Sequence, residues 1–274
     1  MPPAATLDQL VSFLEAHPRL FVLTGAGIST GSGIPDYRDE NGDWKRPAPV
    51  QYRDFVDRLE TRKRYWARSL VGWPPFQQAR PNLCHRALLD WETAGRIDCL
   101  VTQNVDRLHQ AAGSHRVTDL HGRLDRVICL ACGERYRRDW LQQALLGLNP
   151  SFVGAAAEIA PDGDACLPNT DFSALRVPDC PSCGGILKPD VVFFGETIPR
   201  VRVETAISAL LAADGLLVIG SSLMVYSGFR FCRLAAEHGI PSAAINAGRT
   251  RADALLDVKL TRRFEDVVDI LRPA

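Results

Sequence analysis

Short apolar runs and stretches with helical apolar spacing alternate along most of the chain. Five short runs rich in apolar residues have the character of buried strands; they cover residues 20–23, 97–101, 117–120, 216–219 and 243–246. Apolar positions three and four residues apart predict helices near residues 7–14, 52–71, 83–91, 203–211, 229–237 and 264–271. This alternation predicts an α/β fold, a Rossmann-like parallel sheet with helices on both faces.

The alternation stops between residues 126 and 185, and this segment reads as an insertion into the sheet domain. A Gly-Trp-Pro-Pro sequence at residues 72–75 is expected to end the helix that precedes it. We therefore expect three parts: a large Rossmann-like domain (1–38, 81–125 and 186–274), a helical module with a cofactor loop (39–80) and a zinc-binding ribbon (126–185).

Two Cys-x-x-Cys-Gly sequences lie in the insertion, at Cys129 and Cys132 and at Cys180 and Cys183. Two such turns can supply the four thiolates of a tetrahedral zinc site, which then has no open position for catalysis. Redox thiols or a chance pairing are the alternatives. The spacing predicts one structural zinc ion per chain.

The first apolar run leads into a glycine-rich turn at Gly25, Ala26 and Gly27. Backbone N–H groups in such a turn, followed by a helix, favour a phosphate. The dinucleotide fingerprint of dehydrogenases is incomplete, however, because Thr30 replaces its third glycine and Asp43 lies in a polar loop rather than at a strand end. A tight turn without a ligand is an equal alternative on this evidence alone.

Polar residues follow three of the predicted strands. The glycine turn follows the first, Gln103, Asn104 and Asp106 follow the second, and His121 follows the third. Ligands of open parallel sheets bind beyond the carboxyl ends of the strands, so these groups favour a cofactor site. His121 has a side chain suited to proton transfer near neutral pH, although a structural histidine is the alternative. Asn104 and Asp106 could bind a sugar and a carboxamide, or could cap the next helix.

Three further segments carry weaker signals. Gly220, Ser221 and Ser222 follow one strand and Asn246 follows another, as expected for contacts to the adenosine part of a dinucleotide. Residues 188–196 are extended and largely apolar, so an open edge there could pair with an extended peptide. A core strand is the alternative for this segment.

Composition excludes several classes of function. The chain has 274 residues with 32 Lys plus Arg and 32 Asp plus Glu, so net charge gives no reason to expect nucleic acid as a partner. It contains no run of 18 apolar residues, and its first residues lack the basic and apolar regions of a secretion signal. We expect a cytoplasmic protein, monomeric and not bound to a membrane.

Several of these segments, taken together and in order, resemble the sirtuin family, and specifically its class II branch; we expect a bacterial member. The resemblance covers the chain from about residue 6 onward. It rests on Gly25-Ala26-Gly27-Ile28-Ser29, Gly33-Ile34-Pro35-Asp36-Tyr37-Arg38, Thr102-Gln103-Asn104-Val105-Asp106, Leu120-His121-Gly122, the two cysteine pairs, Phe194-Gly195-Glu196, Gly220-Ser221-Ser222 and Ile245-Asn246.

The resemblance implies an NAD-dependent protein lysine deacylase that releases nicotinamide and transfers the acyl group to ADP-ribose. His121 would act as general base on the ribose hydroxyls, helped by Asn104. By the same resemblance NAD, consumed as co-substrate, would contact Gly25, Ala26, Gly27, Ser29, Asp36, Tyr37, Arg38, Gln103, Asn104, Asp106, Gly220, Ser221, Ser222 and Asn246. The acyl-lysine protein or peptide would contact Val191, Val192, Phe193, Gly195 and Glu196.

Some positions depart from the family pattern. Tyr37 replaces a common phenylalanine and Val105 an isoleucine. In the loop at 39–49, Asp43 would disfavour an acidic acyl group, whereas Lys45 and Arg46 would favour one, so the acyl class stays open. Sirtuin-type ADP-ribosyltransfer or lipoamide removal is the alternative within the family. A nicotinamide-dependent oxidoreductase and a zinc-ribbon binding module are the alternatives outside it.

Overall fold

The main sheet is parallel and six-stranded. The computed structural model describes residues 5–45, 49–150, 161–165, 167 and 170–270. The strands of the main sheet are β1 Leu20–Thr24, β2 Ile97–Thr102, β3 Val117–Asp119, β7 Gly215–Ile219, β8 Ser242–Ile245 and β9 Val258–Leu260. They are ordered β3-β2-β1-β7-β8-β9, and every neighbouring pair is parallel. The five predicted strands are confirmed, and β9 extends the sheet by one.

Helices cover both faces of this sheet. The helices of the described residues are α1 Leu7–Ala16, α2 Tyr52–Asp57, α3 Leu59–Gln77, α4 Leu83–Thr93, α5 Leu108–Ala112, α6 Arg138–Leu148, α7 Arg200–Ala212 and α8 Tyr226–Glu237, of which α2, α3 and α6 pack in the smaller part of the molecule instead. Alternate side chains of β1 point to opposite faces: Val22 packs in a core with Trp91 of α4, and Phe21 in another with Phe231 of α8. Among the described helices, none combines the length and the apolar character needed to cross a membrane.

A second, antiparallel sheet of three strands forms the smaller part of the molecule. Its strands are β4 Gly122–Cys129, β5 Arg135–Arg137 and β6 Leu187–Val191, in the order β5-β4-β6. Val127 of this sheet packs with Trp66 of α3 and Leu141 of α6 in one core. The sheet begins one residue after His121 and ends at Val191, so its first and last strands connect it to the main sheet.

The predicted helix over residues 52–71 is wrong in two respects. It is interrupted at Arg58, whose backbone is extended, where Arg62 donates to the carbonyls of Phe55 and Val56 at 3.0 and 2.6 Å. It also continues past residues 72–75 to Gln77, with two prolines inside it.

A side chain from another helix explains why the prolines are tolerated. Pro74 has no N–H to donate to the carbonyl of Leu70, four residues earlier. Gln142 of α6 donates its Nε2 to that carbonyl at 2.9 Å, so the buried acceptor is satisfied.

The final predicted helix, residues 264–271, is also wrong. A 3-10 turn covers Phe264–Asp266, and the N–H groups of Val267 and Ile270 donate to the carbonyls of Phe264 and Val267 at 3.1 Å each. This three-residue spacing keeps Phe264 and Val267 buried against the sheet. Residue 271 lies outside the described residues.

We predict that Gln142→Met lowers the free energy of unfolding by about 1–3 kcal/mol, because the buried carbonyl of Leu70 loses its donor. Gln143→Met is the matched control, since Gln143 is exposed on the same helix and its replacement should change stability by less than about 0.5 kcal/mol. Urea unfolding of both variants checks this. Equal stabilities of the two variants would show that Gln142 does not support the proline-containing helix.

Candidate active site

The carboxyl ends of β1 and β7 meet where the strand order of the main sheet reverses. Gly25 donates its N–H to the carbonyl of Ile219 at 3.1 Å, and Gly27 donates to that of Gly220 at 2.9 Å. A Cβ on Gly27 would lie 2.9 Å from Gly220 Cα, and a Cβ on Gly220 would lie 2.7 Å from the nitrogen of Ile28. Side chains at these positions would push the two turns apart. We call Gly25, Gly27 and Gly220 the glycine contact.

The glycine contact also uses most of the N–H groups of the first turn. Ile28 and Ser29 donate to the carbonyls of Gly25 and Ala26, closing a 3-10 turn at Ala26–Ile28. Within the described residues, the N–H of Ala26 alone among those from Gly25 to Ser29 has no acceptor. The glycines therefore act mainly by allowing close approach, and the turn leaves one backbone donor for a ligand.

A cavity of about 470 Å³ opens beyond the glycine contact. Every residue that the sequence indicates for catalysis, cofactor binding and peptide binding lines it, from Gly25 to Asn246. The cavity thus brings His121 together with residues from distant parts of the chain, such as Ala26, Asp36, Ser222 and Asn246. The four cysteines of the predicted zinc site do not line it.

A chain of hydrogen bonds crosses the floor of the cavity. Asn104 donates its Nδ2 to the carbonyl of Gly25 and to Ser29 Oγ, both at 3.1 Å. Ser29 in turn donates its hydroxyl to Asp106 Oδ2 at 2.7 Å, while Asp106 Oδ1 accepts from the N–H of Leu108 at 2.9 Å. Burial raises the pKa of the Asp106 carboxyl. Asp106 thus bonds to the first N–H of α5, as the capping alternative predicts, and also orients Ser29, whereas carboxamide binding stays a prediction.

Both ring nitrogens of His121 are hydrogen-bonded. Nδ1 lies 2.9 Å from the carbonyl of Gln103, which can only accept, so Nδ1 carries the proton and Nε2 keeps its lone pair. Nε2 lies 2.8 Å from Ser227 Oγ. Burial, with smaller effects of Arg202 and Arg230, lowers the pKa of His121 to about 4. The imidazole is therefore neutral at pH 7 and can accept a proton at Nε2.

Gln103 is itself held on two sides. Its Nε2 donates to Ser221 Oγ at 2.7 Å and to the carbonyl of Thr24 at 3.4 Å. A Cβ on Gly228 of α8 would come within 2.5 Å of Gln103 Oε1, so only glycine lets this helix approach. The residue that fixes the tautomer of His121 is thus packed between β1 and α8.

Tyr37 and Arg38 line the cavity beside Trp44. The Arg38 guanidinium lies 3.8 Å from the centre of the Trp44 ring and donates to the carbonyl of Gly42 at 2.7 Å. Burial lowers the pKa of Arg38 and raises that of Tyr37 well above its ordinary value. Lys45 forms an ion pair with Asp36 at 2.5 Å. Arg46 of the same predicted loop lies outside the described residues.

The predicted peptide segment leaves the small sheet at its edge. β6 has β4 as its neighbour on one side, and the chain then continues along the cavity from Val191 to Glu196. Val192 donates its N–H to the carbonyl of His121 at 2.7 Å, and Phe193 donates to Glu196 Oε2 at 2.8 Å. Lys188 also binds Glu196, at 3.1 Å. These contacts fix the segment relative to His121.

The four predicted zinc ligands form one cluster. The Sγ atoms of Cys129, Cys132, Cys180 and Cys183 all lie within 4.8 Å of one another. Two pairs, Cys129 with Cys183 and Cys132 with Cys180, are 3.5 and 3.8 Å apart. A tetrahedral zinc ion with Zn–S bonds of about 2.3 Å requires S–S separations of about 3.8 Å. The donor set therefore fits one structural zinc ion.

The two cysteine turns have the same backbone geometry. Gly133 donates its N–H to the carbonyl of Cys129 at 3.0 Å, and Gly184 donates to that of Cys180 at 2.8 Å. Both glycines have positive φ, +74° and +72°, which other residues rarely adopt. The glycine after each Cys-x-x-Cys pair thus closes a tight turn that presents two thiolates.

Among the cavity residues that the sequence did not indicate, Ser227 and Trp44 contact predicted site residues. Ser227, which binds His121, stands near the start of α8 and carries no signal beyond that of a helix start. Trp44, against Arg38, is an aromatic residue in an otherwise polar loop, and this contrast could have indicated it.

We predict that Cys180→Ala abolishes stoichiometric zinc binding and lowers the melting temperature by about 10 °C or more, because an incomplete shell forfeits metal-linked folding energy. Metal content of the purified protein and thermal unfolding check this. Cys99→Ala, which removes a thiol outside the cluster, should retain zinc. Full zinc content in Cys180→Ala would contradict the four-cysteine site.

The chain is similar to known proteins over nearly its whole length. The Sir2 family model matches residues 25–227. An NAD-dependent protein deacetylase of Xanthomonas campestris pv. campestris (strain 8004) is 61% identical over 263 residues, covering 96% of this chain and 90% of that protein. The mitochondrial NAD-dependent protein lipoamidase sirtuin-4 of Bos taurus is 47% identical over 281 residues, covering 100% and 89%.

This chain is also similar to solved structures. A structure of Sir2 with a p53 peptide and NAD+ superposes with a TM-score of 0.77 at 27% sequence identity, and the match covers 97% of each chain. The resemblance inferred from the sequence motifs is confirmed, and the similarity to sirtuin-4 fits the expected class II branch. The chain belongs to the Sir2 family.

Proposed function

We propose that this protein is an NAD-dependent protein lysine deacylase that yields nicotinamide, deacylated lysine and O-acyl-ADP-ribose. Its relatives are named as NAD-dependent protein deacetylases, and a structural neighbour holds a peptide and NAD+. One observation carries the proposal for this chain. A single cavity contains the glycine contact, a histidine whose Nε2 carries a lone pair, and the segment from Val191 to Glu196 that we propose binds a peptide.

The residues on the cavity floor fit NAD as a co-substrate. Asn104 and Ser29 offer an amide and a hydroxyl to a ribose, and Asp106 offers a carboxyl whose raised pKa suits hydrogen bonding to a carboxamide. We assign the adenosine part to Gly220, Ser221, Ser222 and Asn246, which follow β7 and β8 and line the same cavity. Tyr37 and Arg38 close the side near Trp44.

His121 is the proposed general base. NAD supplies a ribose carbon that becomes electrophilic as nicotinamide leaves, so the protein needs a proton acceptor and no hydride acceptor. With Nδ1 held by Gln103, His121 takes up at Nε2 the proton that a ribose hydroxyl releases. Its low pKa keeps the acceptor unprotonated throughout the neutral range.

The peptide is proposed to lie along residues 192–196. The segment turns at residues 193–196, and the carbonyl of Phe194 already accepts from the N–H of Tyr52 at 2.8 Å. An extended peptide would therefore add through the remaining backbone groups of the segment, with the acyl-lysine side chain in the cavity. The contact between Val192 and His121 fixes the distance from this segment to the base. Glu196 supports the segment through Phe193 and Lys188.

The charges around the cavity favour a neutral acyl group over an acidic one. Lys45, which could have bound an acyl carboxylate, is paired with Asp36. Asp162 lines the cavity, and its field helps to raise the pKa values of Tyr37 and Tyr65, which also line it. An acyl carboxylate placed near Asp162 would meet a like charge. We therefore propose acetyl, longer aliphatic or lipoyl groups as substrates, ahead of succinyl or glutaryl groups.

We predict that nicotinamide is released from NAD only when an acyl-lysine peptide is present, and faster with acetyl, butyryl or lipoyl peptides than with succinyl or glutaryl peptides. A peptide panel assayed for nicotinamide, O-acyl-ADP-ribose and NADH checks this. His121→Ala should bind NAD within about threefold of the wild-type affinity but lose about 100-fold or more in acyl transfer.

Three outcomes would contradict the proposal. Formation of NADH would indicate an oxidoreductase. Absence both of turnover with every peptide and of NAD binding would exclude an NAD-dependent enzyme. Wild-type acyl transfer by His121→Ala would remove this residue from the mechanism, and faster turnover of the acidic peptides would overturn the proposed acyl preference.

A further inference from the structure

The basic nitrogen of His121 is already occupied by a hydroxyl group. Because Nδ1 carries the proton, Nε2 has a single lone pair, and the contact of 2.8 Å to Ser227 Oγ must be a hydrogen bond that the serine donates. A substrate hydroxyl that approaches His121 cannot bond to Nε2 directly while the serine stays in place. The serine oxygen, in contrast, keeps lone pairs that can accept.

Ser227 lines the cavity together with His121, and its hydroxyl is directed at the imidazole. Only 8% of its surface is exposed, so bulk water has little access to it. It stands in the first turn of α8, which packs through Gly228 against Gln103, the residue that holds the other nitrogen of the ring. One helix therefore fixes Ser227 relative to both sides of the imidazole.

We propose that Ser227 is a proton relay between the reacting sugar hydroxyl and His121. The inference rests on the proposed deacylase function. As the sugar O–H bond breaks, its proton passes to Ser227 Oγ, and the serine proton passes to His121 Nε2. The serine is regenerated and His121 becomes an imidazolium. The sugar oxygen keeps the electron pair of the broken O–H bond and uses it to bond to the acyl carbon, whose π electrons move onto the lysine nitrogen.

The surroundings of His121 suit a relay whose proton must later be released. Charged groups act on the ring from two helices, Arg202 of α7 and Arg230 of α8, and both oppose the imidazolium. The Nε of Arg230 is buried and has no hydrogen-bond partner in the part of the chain that the structure describes. Since Gln103 accepts from Nδ1 throughout, the imidazolium is retained in position and can return its proton through the same serine.

The test uses full-length Ser227→Ala, with Ser227→Thr as the variant that keeps the hydroxyl. Ser208→Ala is the matched control, because Ser208 is exposed on α7 and outside the cavity. Exchange of labelled nicotinamide into NAD, which precedes the proton transfer, is measured beside net acyl transfer. We expect Ser227→Ala to keep exchange within about twofold while acyl transfer falls by about 10-fold or more. Ser227→Thr should recover part of the loss, and Ser208→Ala should match the wild type.

Two readouts separate a relay from mere support of the fold. Nitrogen-15 NMR of the imidazole in the NAD-free protein should show Nε2 as a lone-pair nitrogen that accepts a hydrogen bond, and its signal should move to the free lone-pair position in Ser227→Ala. In mixtures of light and heavy water, acyl transfer by the wild type should report two protons in flight, and Ser227→Ala one.

The relay is overturned if Ser227→Ala transfers acyl groups at the wild-type rate, or if exchange and acyl transfer fall together. An Nε2 signal that the alanine does not move, or a single proton in flight in the wild type, would also overturn it. Failure of the proposed function is distinct from these outcomes. In that case the wild type itself releases no nicotinamide with any peptide, whereas the NMR signal still reports the hydrogen bond.

Discussion

The contact between the turns that follow β1 and β7 is the constraint on which the rest of the site depends. Gly27 and Gly220 meet at a separation that leaves no room for a Cβ on either. Two backbone hydrogen bonds, from Gly25 and Gly27, hold the turns together. The contact stands at the point where the strand order reverses, which is where ligands of open parallel sheets bind.

The groups proposed for catalysis and cofactor binding are connected to this contact by short chains of hydrogen bonds. The carbonyl of Gly25 holds Asn104, and Asn104 holds Ser29. Ser221, the residue after Gly220, holds Gln103, and the carbonyl of Gln103 fixes the tautomer of His121. A displacement of the two turns would therefore shift both the residues on the cavity floor and His121, the proposed base. The segment proposed to bind the peptide follows the small sheet, and the hydrogen bond from the N–H of Val192 to the carbonyl of His121 holds it beside this residue.

Much of this arrangement could be predicted from the sequence, for identifiable reasons. Apolar runs locate buried strands, and polar residues such as His121 that follow such runs must gather at one edge of a parallel sheet. The cysteine spacing encodes a local turn geometry and so predicts the sulfur cluster. These signals are local, and each depends on a few consecutive residues.

The features that could not be predicted depend on partners distant in the sequence. The helix α3 continues through Pro74 because Gln142, 72 positions from the carbonyl it satisfies, replaces the missing donor. Ser227 meets His121 across 106 positions, and nothing near either residue indicates the contact. The last segment forms 3-10 turns because burial of Phe264 and Val267 outweighs helical periodicity.

The affinity of the protein for NAD in Gly220→Ala, compared with Gly239→Ala, tests the central role of the glycine contact most directly. The two glycines have similar φ values, +61° and +65°, so alanine costs about 1–2 kcal/mol of backbone strain at either position. A Cβ at Gly239 meets no atom within 4 Å, whereas one at Gly220 strikes the first turn. Calorimetry should show that Gly239→Ala binds NAD like the wild type and that a folded Gly220→Ala loses at least about 10-fold in affinity. Equal affinities in the two variants would contradict the account.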